Sequence, residues 1–160
     1  MTTPELVEAA LHEIGVDYER PSGGAFVVNL PGTRRLKTAC WLTIGEHAVS
    51  IEAFVVRKPD ENAEQVYRYL LEHNARMYGV AWSSDDSGDI YLTGKLPLGA
   101  VTPDEIDRVL GAVLEYADGS FNALLQLGFG SSIRREWAWR VRHGESLANL
   151  AAFEAFAKGE

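Results

Sequence analysis

The chain has 160 residues, 46% of them hydrophobic and 24% charged, with a formal net charge of −8. That length suits one domain with its own core, and the composition excludes a globally disordered chain. The acidic balance argues against a general nucleic-acid binder, no apolar run approaches the ~20 residues that span a bilayer, and the single cysteine, Cys40, excludes an intrachain disulfide and a cysteine-based zinc cage.

The first expected element is a helix. Thr3 is placed as its cap, Pro4 suits the first helical position, and Glu5 complements the positive end of the helix dipole. Leu6, Val7, Ala10, Leu11 and Ile14 recur at helical spacing, and Gly15 ends the run. Met1 leads straight into this amphipathic helix rather than into a signal peptide, so a cytoplasmic location is expected.

Residues 16–57 read as sheet, in three strands. Phe26 to Leu30 is a short apolar run after Ser22-Gly23-Gly24. Arg35 to Ile44 alternates, with Leu36, Thr38, Cys40, Leu42 and Ile44 on one face and Lys37, Ala39, Trp41 and Thr43 on the other. In the third run Val49, Ile51, Ala53 and Val55 form the inward row, opposite Ser50, Glu52, Phe54 and Val56. A second helix is expected from an Asp60 cap to about Arg76, with Val66, Tyr67, Leu70, Leu71 and Met77 as its apolar stripe. Tyr78 to Ser83 and Ile90 to Leu96 then flank an acidic turn, as a hairpin does.

Thr102-Pro103-Asp104-Glu105 is the strongest local signal: a threonine cap, proline at the first helical position and glutamate in the capping-box place. Ile106, Val109, Leu110, Val113, Leu114 and Ala117 follow at helical spacing. Gly128-Phe129-Gly130 is expected to break that helix, and a last helical tract runs from about Ile133 to Lys158. The division expected is a domain over residues 1–130 and a C-terminal helical extension over 131–160. That extension has five basic residues (Arg134, Arg135, Arg140, Arg142, Lys158) against four acidic ones (Glu136, Glu145, Glu154, Glu160), so it carries +1 and the first 130 residues carry −9.

No group of residues assembles into recognisable chemistry. Asp85, Asp86 and Asp89 lack the glycine position and distal glutamate of a calcium loop and read as turn chemistry. Glu8 and His12 stand four apart on one helix, a spacing two metal ligands can use, with no third ligand in sight. Cys40 lies mid-strand among apolar neighbours and reads as a buried structural thiol. Gly128 and Gly130 fit no phosphate loop, and neither a Gly-x-Ser-x-Gly elbow nor a His-Glu-x-x-His helix occurs. No catalytic residue, metal or cofactor is assigned.

The segment from Arg134 to His143 places four arginines among Trp137 and Trp139. Such interleaving serves stacking on bases or contact with anionic membranes. The favoured reading is a helix that packs Ile133, Trp137 and Val141 on the acidic domain while its arginines pair with that domain's carboxylates.

The order α-β-β-β-α-β-β-α, its two capped helices, and strand segments such as Trp41–Ile44 and Ile51–Val55 resemble the YbjN family, and through it the fold of type III secretion chaperones. The resemblance spans about residues 3–127 and implies a non-catalytic dimer that holds an extended client segment. The fold class is therefore α+β, one antiparallel sheet packed on helices. The function expected is protein or peptide binding by a homodimer, with no membrane partner. Trp41, Phe54 and Val56 on the sheet, with Trp137 and Trp139 from the tract, are the candidate partner contacts. The alternatives are an anionic-ligand binder using the Arg/Trp tract and an unrecognised small-molecule enzyme.

Overall fold

Thr2, one residue earlier than expected, caps the first helix. In the computed structural model, which describes residues 1–158, helix α1 spans Thr3–Ile14. Thr2 Oγ1 accepts from the Glu5 amide at 3.4 Å and Glu5 Oε2 accepts from the Thr2 amide at 2.6 Å, a reciprocal capping box. Gly15 closes the helix with φ of 82°, a left-handed turn that glycine takes without steric cost.

The sheet has one strand more than the sequence suggests. Strand β1, Asp17–Ser22, precedes β2 (Ala25–Pro31), β3 (Lys37–Ile44) and β4 (Ala48–Val56), and β5 (Ala81–Ser84) and β6 (Ile90–Pro97) follow helix α2 (Ala63–Asn74). Ser22-Gly23-Gly24 is thus the turn of a β1–β2 hairpin. Strand β1 shows no apolar alternation because it is an edge: only Tyr18 is partly buried, and its other residues face solvent. The six strands are ordered β1-β2-β3-β4-β6-β5, every neighbouring pair antiparallel.

One face of this sheet meets the helices. Phe26, Val28, Thr38, Cys40, Leu42, Val49, Ile51, Ala53, Ile90 and Leu92 are buried there, together with Val7 and Leu11 of α1, Val66 and Leu70 of α2, and Ile106, Val109, Leu110 and Val113 of helix α3 (Pro103–His143). Three expected core or face positions fall elsewhere. Leu36 is 80% exposed, because β3 begins only at Lys37 and Leu36 belongs to the preceding loop. Leu71 is 69% exposed on the outer side of α2. Val56 is buried: the β4–β6 register slips between Phe54 and Val56, so Val55 and Val56 both turn inward.

Helix α2 starts at Ala63 after Asn62, whose backbone is left-handed (φ 54°) and whose side chain makes no cap bond, so Asp60 is not the cap. Asp60 pairs with Arg57 instead, at 2.6 Å. Thr102 caps α3 as expected, accepting from the Glu105 amide at 3.1 Å. The Glu105 carboxylate leaves the reciprocal half of the box unmade and takes the Tyr78 hydroxyl and Arg108, the latter at 3.1 Å.

Helix α3 is interrupted where the glycines lie: Phe129 is non-helical (φ −137°, ψ 18°), and two helical segments meet across this bend, the second continuing to His143. The bend frees carbonyls, and the loop before α2 takes them up: the Gly128 oxygen accepts from Asp60 and Glu61 amides at 2.9 and 3.2 Å, and the Leu127 oxygen from Asn62 Nδ2 at 2.9 Å. Glu61 in turn caps the resumed helix, accepting from the Ser131 amide at 2.6 Å and its hydroxyl at 2.7 Å. Those bonds hold the Glu61 carboxyl below its ordinary pKa.

A second clamp joins α3 to the β2–β3 loop. Asp118 Oδ1 accepts from the consecutive amides of Thr33, Arg34 and Arg35 at 3.0, 2.8 and 2.9 Å, and Oδ2 accepts from the Thr33 hydroxyl at 3.0 Å. Gly32 is required beside it, since a Cβ there would lie 2.3 Å from the Arg35 oxygen and 2.6 Å from Asp118 Oδ1. Burial by itself would raise the Asp118 pKa, but these donors outweigh it and hold the group below its usual range.

Asp118→Ala is expected to cost about 2 kcal/mol, by stranding three amides, and Gly32→Ala to lower the melting temperature through the clash. The Asp118 contribution is present at neutral pH, where the group is charged in both states. It is lost as pH falls from the ordinary carboxylate range through the lowered folded value. Melting temperature against pH for wild type and Asp118→Asn checks this, with a shallower acid limb expected in the variant.

Candidate protein-binding face

The second face of the sheet carries the rows opposite the core. Cross-strand pairing sets Val27 beside Trp41, Trp41 beside Glu52 and Glu52 beside Thr93 in one rank. The next rank holds Asn29, Ala39, Phe54 and Tyr91, because Asn29 pairs with Ala39 and Phe54 with Tyr91, and the Cys40–Ala53 pairing sets Ala39 and Phe54 level. Trp41 and Phe54 are 43% and 40% exposed. Phe54 and Tyr91 meet edge to face with ring centroids 5.6 Å apart. Ala39, the smallest side chain among these aromatics, floors a depression of about 480 Å³ that Arg35, Lys37, Trp41, Glu52, Phe54 and Tyr91 line with it.

Arg35 reaches this depression because the Asp118 clamp fixes its backbone. Its Nε donates to the Val55 carbonyl at 3.0 Å and its Nη1 to Thr38 Oγ1 at 3.3 Å and to the Lys37 carbonyl. The guanidinium lies 6.0 Å from the Phe54 ring and 5.8 Å from Phe121 of α3. Burial lowers the Arg35 pKa. The Tyr91 pKa is raised, first by its bond to Asp85 and then by burial and the nearby carboxylates.

Of the five contacts expected from sequence, the structure brings Trp41 and Phe54 together. Val56 is buried in the core, and Trp137 is buried at the far end of α3. Trp139 is 44% exposed and lines a different surface, with Ser132, Arg135, Ala138 and Arg142. Sequence reasoning missed Arg35, Lys37, Ala39, Glu52 and Tyr91 as members of one site. Tyr91 was recoverable from period-two alternation in β6, whereas Arg35 lies in a loop with no periodic signal.

The sheet edges offer less than the face. Strand β1 carries Pro21, which has no amide proton, among Asp17, Glu19 and Arg20, and its pairing is irregular between Glu19 and Ser22. At β5 the outward backbone of Trp82 is already satisfied: its amide donates to Asn74 Oδ1 at 2.6 Å and its carbonyl accepts from Asn74 Nδ2 at 3.2 Å.

Other expected groups have local roles. Cys40 is buried and its thiol is pushed up to about 12 by desolvation, so it is not a ready nucleophile. Glu8 and His12 join α1 to β1 through Tyr18 Oη, at 3.1 and 2.7 Å, and Glu8 pairs with Arg20 at 2.6 Å. Asp85 Oδ1 accepts from the Ser87 and Asp89 amides, both at 3.0 Å, within the β5–β6 turn.

The C-terminal tract is not one helix. Helix α3 ends at Gly144, a 3-10 turn spans Ala148–Phe153, and a short helix α4 follows at Glu154–Ala157. Ile133, Trp137 and Phe153 are buried, and the turn and α4 pack on the end of α3 rather than on the sheet. Val141 is 57% exposed, contrary to expectation. The arginines make their direct contacts locally, Arg140 with Glu136 at 2.7 Å, Arg134 on Phe156 at 4.1 Å and Arg135 with Ser132 at 3.1 Å, while the charges of Arg134 and Arg135 add to the hydrogen bonds that hold Glu61 and Asp60 of the sheet domain below the usual carboxylate range. Among the described residues no helix is long and apolar enough to cross a membrane.

The fold, a six-stranded antiparallel sheet with helices on one face, is similar to that of type III secretion chaperones. A chain of the ExsC–ExsE complex is similar with a TM-score of 0.56 at 17% identity, over 76% of this chain and 92% of that one. The Yersinia pestis type III secretion chaperone SycH, solved with a stable fragment of YscM2, gives 0.52 at 17% identity, over 72% and 97%. The YbjN family model, described as "Putative bacterial sensory transduction regulator", matches residues 3–126, and the chain belongs to that family. The uncharacterized protein Rv0487 of Mycobacterium tuberculosis is 55% identical over 157 residues, covering 95% of this chain and 86% of its own.

Ending the chain after Gly144 removes Phe153 and Phe156 from the end of α3. The variant is expected to keep the sheet domain folded while Trp137 becomes wet, read as a red shift in tryptophan emission with far-ultraviolet circular dichroism changed only by the lost turns. An unchanged emission maximum would mean that Trp137 does not depend on the folded-back segment.

Proposed function

We propose that this protein is a non-catalytic, chaperone-like module that holds an extended segment of a protein partner on the open face of its sheet. The observation that carries this reading is the pair Trp41 and Phe54, both about two-fifths exposed around the Ala39 depression on an otherwise ordered sheet. Chains of similar fold have been solved in complex with other proteins, which supports a protein as the partner. The filled edge at β5 and the proline and charges on β1 favour capture by side chains on the face over addition of a strand.

A homodimer accords with this reading. Leu71, with Tyr67 on α2, forms a separate exposed apolar patch flanked by Glu64 and Glu72, and association there leaves the sheet face free.

Selection of nine-residue peptides from a displayed library on the immobilised protein tests the face. Enriched peptides are expected to shift Trp41 emission, and the Trp41→Ala/Phe54→Ala variant to bind them at least about tenfold more weakly with little change in melting temperature. Equal binding by that variant would move the site elsewhere. Sedimentation tests the dimer: Leu71→Ser is expected to shift the population toward monomer.

A further inference from the structure

The depression is aromatic in its middle and cationic at one end. Along β3, Lys37 stands two residues from Ala39, about 7 Å along an extended strand. Arg35 lines the same end, and among the described residues its side chain bonds only neutral oxygens, those of Val55, Thr38 and Lys37. Lys37 likewise has no carboxylate within ion-pair distance among them, although the chain carries −8. A half-buried guanidinium served only by carbonyl and hydroxyl oxygens lacks the counter-charge that buried cations ordinarily have. The opposite end of the depression is acidic, because Glu52 stands beside Trp41.

Resting on the face-binding reading above, we propose that the segment captured here carries a carboxylate, from Asp or Glu, two residues from a large apolar side chain. The apolar side chain sits over Ala39, between Trp41, Phe54 and Tyr91. The carboxylate reaches Lys37 and the free side of Arg35. In an extended segment, side chains two apart point to one side at the same ~7 Å spacing as Ala39 and Lys37. Glu52 repels a carboxylate placed on the other side of the anchor, so the polarity of the face fixes the direction in which the segment lies. The same charge pattern disfavours a nucleic acid, whose regular phosphates would meet Glu52 and the acidic body as well as the two cations.

The experiment uses the full-length protein and the nine-residue displayed library, with the random segment internal so that no free C-terminal carboxylate is present. Peptides enriched on the wild type are expected to carry Asp or Glu two positions from an aromatic or branched apolar residue. In solution, replacing that acid by Asn is expected to weaken binding about tenfold at low salt and less at high salt. Lys37→Glu, an exposed position that leaves the core alone, is expected to reverse the preference toward Lys or Arg. Arg35→Gln is expected to reduce the acid preference, with its melting curve recorded alongside. Peptides bound equally well with Asp, Asn or Lys at that place, or a Lys37→Glu protein with unaltered selection, overturn the carboxylate while leaving the binding face standing. A library that yields nothing on the wild type overturns both.

Discussion

Three consecutive amides in a tight loop must find an acceptor, and Asp118 supplies it. The β2–β3 loop has no strand partner for the hydrogen-bonding groups of Thr33, Arg34 and Arg35, and an unpaired amide in a part-buried place costs as much as a lost hydrogen bond. Because the acceptor sits on α3, satisfying the loop also sets the distance between the long helix and the centre of the sheet. The position of Arg35 follows from that spacing, since its side chain runs between Phe121 on the helix and Phe54 on the strand. The chemistry of the open face is thus decided partly from behind, by a helix that does not line it.

The same economy of unsatisfied groups explains the bend in α3. A helix that turns at Phe129 exposes carbonyls before the bend and an amide after it, and the loop ahead of α2 meets both, with backbone donors for the first and the Glu61 carboxylate for the second. Gly128 permits the approach, since a Cβ there would lie 3.1 Å from Pro59 Cβ. Beyond the bend the chain builds a small second core from Ile133, Trp137 and Phe153. The family match ends at residue 126, just ahead of this joint, whereas the mycobacterial relative aligns over 157 residues.

Most of the architecture was legible in the sequence because most of it is written in periodicity. The helices announced themselves through Thr102-Pro103 and the heptad-like spacing of Ile106 to Ala117, and β3 and β4 through alternation. What escaped had no periodic signature. Strand β1 is an edge with nothing to bury, so Asp17 to Ser22 looks like loop. The slip that buries Val56 is a pairing event between β4 and β6, invisible in either strand alone. The glycines around Phe129 signalled the interruption, but helix propensity carries no information about Glu61, about seventy positions away and ready to cap the restart. Of the site, Trp41 and Phe54 were readable from the alternation. Arg35 was not, because a loop residue's neighbours are set by a clamp and not by a repeat.

The amide of Asn74 occupies both hydrogen-bonding groups that Trp82 turns outward, so a single side chain closes the β5 edge at its second residue. At that position β5 has neither donor nor acceptor left for a further strand, so a chain approaching this edge meets a side chain in place of a ladder.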